Sequence, residues 1–260
     1  MTAAWAGVGA AYARSFASLC EGTVPLLLDR TPDGDHLDVG CGTGALARAA
    51  ARRGRRVLAV DADPEMVALA REATVGLGVR VSQAALPTLA IASGSADAVT
   101  ANFVVNHVPD PWAAVAELAR VVRPGGRLAV TSWTSAPTAQ AVLFRRAFEA
   151  SGARPVPGQR LPEHLDYDRS ADGLVDLLAG GGLRVVDGGE HRWDWHVDEQ
   201  ALLTGIRGGV GAVGQTYLAQ SEEVRRRFEG ELHVLAAGLD ADPQGRVVLP
   251  SVAAYAVAAA

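Results

Sequence analysis

From Asp35 to about Trp133 the chain alternates short apolar runs with helical patterns, and this alternation constrains the fold more than any other feature. His36–Gly40, Arg56–Val60, Val79–Ser82, Asp97–Phe103 and Leu128–Ser132 read as strands. Ala45–Arg53, Pro64–Glu72 (opened by Asp63) and Trp112–Val122 read as helices between them. Strands joined through helices of about ten residues pair in parallel and need helices on both faces of the sheet. The expected class is α/β, doubly wound, with a ligand outside the carboxyl ends of the strands next to the first one.

The flanking segments predict a frame around that core. Residues 1–34 read as an N-terminal helical lid, 35–135 as the core, and 136–182 with 198–260 as a helical cap. Residues 183–197, split at Gly188 and Gly189, read as an antiparallel hairpin completing a mostly parallel seven-stranded sheet at one edge. With 260 residues, 49% hydrophobic and 20% charged, such a core is affordable. The net charge of −5 gives no basic field for nucleic acid or anionic lipid. No run approaches the ~18 apolar residues of a membrane span, and no secretory leader pattern follows Met1, so a cytoplasmic chain is expected. Val252–Ala260, rich in Ala and Val, reads either as part of its own domain or as a homodimer contact, so monomer and homodimer both stay open.

Two compositional absences narrow the chemistry. Cys20 and Cys41 are the only cysteines, too few for a disulfide framework or a Cys-based zinc site, and no metal is expected. All 24 basic side chains are Arg. Without Lys there is no Schiff base, no phosphate-loop or kinase lysine, and no Tyr/Lys hydride-transfer pair.

The segment Leu37–Ala45 runs from a strand through a glycine turn into a helix. Gly40, Gly42 and Gly44 allow a sharp turn and let a ligand lie against bare peptide. Asp61 ends the second strand, 21 residues after Gly40, where a carboxylate can accept both hydroxyls of a ribose. Together these features indicate a nucleoside-containing ligand. Gly40, Gly42 and Ala45 also satisfy a dinucleotide pattern. Asp38, two places before the first glycine, argues against that reading, because a buried anion suits an ammonium or sulfonium and repels a pyrophosphate.

Five ordered segments, Leu37–Gly44, Val60–Met66, Gly94–Val99, Asn106–Pro111 and Glu117–Leu128, resemble the class I S-adenosylmethionine (SAM)-dependent methyltransferases. The likeness is closest to the small-molecule branch that includes ubiquinone, menaquinone and natural-product methyltransferases. It implies a Rossmann-like sheet, SAM as cofactor and S-adenosylhomocysteine as product. It places Gly40, Cys41, Gly42 and Gly44 along the methionine part, Asp38 near its ammonium, Asp61 on the ribose, and Ala62 and Met66 about the adenine. The family's acidic residue after the third strand is replaced by Gln83, beside Ala84 and Ala85. Asn102, Phe103 and His107 fall beside the sulfonium, and Tyr12 is expected to close over the cofactor.

The resemblance implies methyl transfer to O, N or C of a small, mainly apolar substrate by in-line displacement. A SAM-binding protein that does not methylate, such as a cyclase, and an NAD-dependent oxidoreductase are the alternatives. No Asn/Asp-Pro-Pro-aromatic element follows the fourth strand, so a nucleic-acid substrate is not expected. Candidate bases are His107, His191, His196 and Tyr12, with Tyr217 behind them. The expected substrate surface is Trp5, Trp133, Phe144, Phe148, Tyr167, Trp193 and Trp195. At strand period His191, Trp193 and Trp195 share one face, and Arg192, Asp194 and His196 the other. The glycine-rich stretch 205–214 reads as a flexible part of the cap.

Overall fold

The central strands are buried on both faces, as strands covered by helices on both sides must be, and are apolar except for a few polar side chains on β1 and β4. In the computed structural model, which describes residues 6–158 and 161–260, they belong to a seven-stranded sheet. Its strands are β1 (Asp35–Val39), β2 (Arg56–Asp61), β3 (Arg80–Gln83), β4 (Ala96–Asn102), β5 (Val122–Ser132), β6 (Arg184–Val197) and β7 (Val247–Ala259). The order is β3-β2-β1-β4-β5-β7-β6. The first five strands run parallel, and β7 is antiparallel to both β5 and β6. The order reverses between β1 and β4, which opens a crevice at their carboxyl ends.

Strand periodicity divides the core in two. Leu37, Val39 and Val60 pack with Val115 and Leu118 of α6 (Pro111–Val121) and Leu174 and Leu177 of α8 (Ala171–Gly180). The alternate residues Val57 and Ala59 face Leu27 and Leu28 of α3 (Val24–Arg30) and Leu46 and Ala50 of α4 (Ala45–Arg52). Asp63 caps α5 (Pro64–Ala73) by accepting from Glu65 N at 2.8 Å and Met66 N at 3.2 Å.

The sheet has its antiparallel edge, but 183–197 does not fold back on itself. It is one continuous strand, β6, paired along its length with β7. Gly188 leaves room for a neighbour, and neither glycine turns the chain. A Cβ on Gly188 would meet Val175 Cγ2 at 2.6 Å, and one on Gly189 would meet the Tyr255 ring at 3.6 Å. The helical reading of 198–260 likewise fails at its end. Residues 247–259 form an inner strand, so Ala254, Ala256 and Ala258 are core and not a dimer face. Ala and Val alternate on both buried faces there, which leaves no polar stripe to signal a strand.

The cap has its own core. α7 (Ala139–Ser151), α9 (Glu199–Arg207) and α11 (Glu222–Ala237) meet the far ends of β6 and β7 through Phe144, Phe148, Leu202, Ile206, Phe228 and Leu232. The N-terminal segment is tied to the core. Glu65 accepts from Gly9 N at 3.1 Å and Ala10 N at 2.9 Å, at the start of α1 (Gly9–Ala13). Asn102 donates to the Cys20 carbonyl at 3.0 Å, at α2 (Ala17–Glu21).

Candidate functional site

A cavity of about 380 Å³ opens beyond the carboxyl ends of β1, β2, β4 and β5. A smaller pocket of about 50 Å³ lies beside it and shares Tyr12, Cys20, Gly40, Gly42 and Asn102 with it. The glycine turn forms the boundary. Gly40 and Gly42 have φ of 66° and 52°, in the left-handed region that side chains disfavour. A Cβ on Gly40 would also strike Val104.

Two carboxylates flank this turn. Asp61 accepts from Gly42 N at 2.8 Å and from Asp63 N at 2.9 Å, so it pins the turn while lining the cavity. Burial raises its pKa, and the charge of Asp63 adds to the rise. Asp38 lines the smaller pocket and is 1% exposed. Its Oδ1 accepts from Thr100 Oγ1 at 3.2 Å, but its Oδ2 is buried without a partner. Burial, with the charge of Asp61, pushes its pKa up to about 7. A buried carboxylate oxygen without a partner is costly. A cationic ligand group in the pocket would supply the missing partner.

The other end of the cavity is apolar. Phe103, in a left-handed conformation at φ 56°, stacks on Trp133 with ring centroids 4.1 Å apart. Its N–H donates to Thr131 Oγ1 at 2.9 Å, which holds the turn after β4 against β5. Asn102 Oδ1 accepts from Thr23 Oγ1 at 2.7 Å and Thr131 Oγ1 at 2.6 Å, so its amide is a structural tie as well as a wall. No Arg stands among the described lining residues. His107 lines the cavity, and burial, then the charge of Arg169, lowers its pKa to about 4. It is neutral at pH 7. The site therefore offers anions at the glycine turn and no cation for an anionic ligand.

Known proteins resemble this chain in sequence over part of its length and in fold. Residues 37–130 match the family model described as a methyltransferase domain. The match takes in just over a third of the chain, from the first strand to the fifth. A ubiquinone biosynthesis O-methyltransferase of Xanthomonas axonopodis pv. citri is 40% identical over 154 residues, covering 58% of this chain and 63% of that protein. The chain thus spans less than two thirds of the length of this curated relative. A methyltransferase-type structure from Bacillus halodurans superposes with TM-score 0.56 at 15% identity, covering 92% of this chain and 97% of that one. The cyclase SpnF superposes with TM-score 0.52 at 20% identity, covering 90% of this chain and 80% of that one. At such identities the structural likeness establishes the fold alone.

The cavity and the smaller pocket together gather most of the cofactor residues expected from sequence. Tyr12, Gly40, Gly42, Asp61, Ala62, Met66, Ala84, Ala85, Asn102, Phe103 and His107 line the cavity, while Asp38 and Cys41 line the smaller pocket. Two of the expected residues line neither. Gly44 stands at φ 83°, where a Cβ would meet Ala70 Cα at 3.0 Å, so it serves the close packing of α4 on α5. Gln83 turns its Nε2 to the Ala62 carbonyl at 2.9 Å.

The expected substrate wall is mostly cap core. Of that set Trp133 lines the cavity, and Trp5 lies outside the described residues. In the cap cluster Phe144 and Trp195 pack against Phe16 and Phe148 stacks on Phe228, and Trp195 donates to Ser18 Oγ at 3.0 Å. Trp193 packs behind Trp133 at a centroid distance of 6.0 Å. Tyr167 belongs to the sheet core, its hydroxyl 2.8 Å from Ser132 Oγ. Among the proposed bases, His191 sits 3.1 Å from the Gly22 carbonyl and His196 pairs with Asp242 at 3.0 Å on the outer face. Tyr217 hydrogen-bonds Glu229 at 2.6 Å. None of these three lines the cavity. Burial raises the pKa of Tyr12, which makes its phenol a poor proton acceptor.

Sequence reasoning missed Phe16, Leu19, Val104, Val108 and the stretch Val210–Val213, all of which line the cavity. Val210–Val213 joins α9 to α10 (Gly211–Leu218). The helix-stopping Gly208 and Gly209 were the available signal that an ordered junction lay there.

Proposed function

We propose that this protein is a SAM-dependent methyltransferase acting on a small, uncharged, mainly apolar acceptor by in-line displacement. The observation that carries the proposal is the buried, unpartnered Oδ2 of Asp38 beside the Gly40–Gly42 turn, with Asp61 across it. SAM, when bound, supplies a methyl group already activated on a sulfonium. Asp38 would take its ammonium, the bare turn would run along its methionine part, and Asp61 would accept the ribose hydroxyls. Met66 and Ala62 would enclose the adenine.

The chain's own contribution is then alignment and exclusion of water. Phe103, Trp133 and Val210–Val213 wall the acceptor end. Holding two reactants in line is worth ~7–11 kcal/mol. His107, the one imidazole among the described lining residues, is unprotonated at pH 7 and can accept a hydrogen bond from an acceptor hydroxyl, which orients the oxygen; its lowered pKa of about 4 makes it a weak base. Oxygen as the acceptor atom is supported by the O-methyltransferase relatives. The missing lining cation argues for an acceptor without phosphate or carboxylate.

Calorimetric titration with S-adenosylhomocysteine, with NAD⁺ in parallel, tests the reading. Micromolar affinity for S-adenosylhomocysteine that is lost in Asp61→Ala, with no NAD⁺ binding, is expected. Preference for NAD⁺ would overturn it. A protein that binds the homocysteine compound yet forms no methylated product from a broad acceptor panel would be a non-methylating SAM binder.

A further inference from the structure

β1 carries a second polar residue, His36, on the same strand face as Asp38 and two residues before it. It is 2% exposed. A buried polar side chain in a central parallel strand is costly unless every polar atom is used. Here each one is. Arg55 Nη1 lies 3.1 Å from His36 Nδ1, and His36 Nε2 lies 2.9 Å from Thr100 Oγ1 on β4. Thr100 Oγ1 in turn donates to Asp38 Oδ1 at 3.2 Å.

The chemistry of the groups fixes the direction of every bond in this chain. A guanidinium only donates, so His36 Nδ1 must accept. Burial and then the charge of Arg55 lower the His36 pKa to about 3, so the ring is neutral and its single proton is on Nε2. Nε2–H therefore donates to Thr100 Oγ1, which leaves the threonine proton for Asp38. Asp38 Oδ1 is then held, and Oδ2 is the oxygen left for a ligand. Arg55 is itself locked. Its other N–H groups reach Thr31 Oγ1 at 2.8 Å, the Leu28 carbonyl at 2.7 Å, the Thr31 carbonyl at 2.8 Å and Asp33 at 3.1 Å. Asp33, its only carboxylate partner among the described residues, has a side chain 84% exposed, whereas that of Arg55 is 2% exposed. The positive charge is thus poorly neutralised from outside, and its hydrogen bond to His36 turns the ring's single proton toward Thr100 and so the threonine proton toward Asp38.

We infer that Arg55, His36 and Thr100 form a one-way hydrogen-bond relay whose function is to hold Asp38 ionised and oriented for an ammonium-bearing ligand. His36 and Arg55 are positioning residues that act through Thr100. The inference rests on the proposed role of Asp38. Besides the relay, the backbone N–H of Ala47 in the first turn of α4 favours the ionised form; the remaining groups around Asp38 oppose ionisation or are neutral. The charge of Asp61 on β2 raises the Asp38 pKa, and the Cys41 thiol is held protonated by burial. Tyr12 and Glu21 line the same pocket from the N-terminal helices. No cation on these elements duplicates what the relay supplies among the described pocket residues.

The test compares S-adenosylhomocysteine, which carries the ammonium, with methylthioadenosine, which lacks the whole amino-acid part. Both are titrated calorimetrically into wild type, His36→Leu, His36→Gln and Thr100→Val between pH 6 and 8.5. Removing the relay raises the pKa of free Asp38. His36→Leu is expected to weaken S-adenosylhomocysteine about fivefold at pH 7, taking a rise of about one unit, and less than about twofold at pH 8.5. Methylthioadenosine affinity stays unchanged. His36→Gln, which keeps an amide N–H toward Thr100, retains the wild-type pH dependence. If His36→Leu fails to fold, as methylthioadenosine binding and melting would reveal, Thr100→Val decides and shows the same pH-dependent loss. Equal losses for both ligands, or no change in the pH dependence, would overturn the relay. Wild type that binds neither ligand would instead overturn the proposed function.

Discussion

Asp38→Asn should stabilise the ligand-free protein at neutral pH while weakening its ligand. Asp38 is fully buried, and its pKa stands near 7 against an ordinary 3.8, chiefly through burial. A carboxyl whose folded pKa is raised favours the folded state fully below 3.8 and loses that contribution as pH rises to about 7. At about 1.4 kcal/mol per tenfold change in proton affinity, the loss across this window is about 4 kcal/mol. Asparagine has no charge to desolvate and can still accept from Thr100. Its amide N–H₂ takes the place of the unpartnered Oδ2, at a cost of about 1–3 kcal/mol. The two effects differ in sign with pH. The variant should be less stable than wild type by about 1–3 kcal/mol near pH 4 and more stable by about the same amount near pH 8. Urea unfolding of both proteins at pH 4, 5, 6, 7 and 8, without ligand, measures the crossing. Parallel pH profiles for the two proteins would refute the reasoning, because they would mean that Asp38 is not a strained anion in the folded chain. S-adenosylhomocysteine at saturation should restore the wild-type advantage at pH 7.

Other substitutions separate packing from chemistry. Gly44→Ala forces a side chain into φ 83° against Ala70 Cα, so it should destabilise by about 1–3 kcal/mol by thermal melting. His107→Phe should leave S-adenosylhomocysteine affinity within about twofold and lower kcat about 10²-fold on a hydroxyl acceptor. Because His107 stays neutral above about pH 4, the wild-type rate should hold from pH 8 down to about 5, and a fall between pH 7 and 6 would point to another base. His196→Ala should change neither binding nor turnover, since His196 pairs with Asp242 away from the cavity.

The parts of this site that local chain chemistry dictates were legible in the sequence. The Gly40–Gly44 turn, Asp38, Asp61 and the cap at Asp63 follow from neighbouring residues and from strand and helix periods. The parts set by long-range packing were not. Gly188 and Gly189 look like a turn until Val175 is seen to fill the space beside Gly188 and β7 to pair with both. Phe144, Phe148 and Trp195 have the composition of a substrate wall, but α7, α11 and the end of β6 enclose them among themselves. The face alternation of His191–His196 was right, with Trp193 and Trp195 inward and Asp194 and His196 outward. Period shows which side chains share a face. It does not say whether that face meets a cavity or a helix. Val210–Val213 enters the site from a helix junction some 170 residues after the glycine turn, a distance across which no local signal reaches.

The most direct test of the account is a crystal structure of the protein with S-adenosylhomocysteine. The account predicts the ligand ammonium within hydrogen-bond distance of Asp38 Oδ2, the ribose hydroxyls on Asp61, and the sulfur facing the Phe103–Trp133 end of the cavity. A bound ligand that leaves Asp38 Oδ2 without a partner would contradict it.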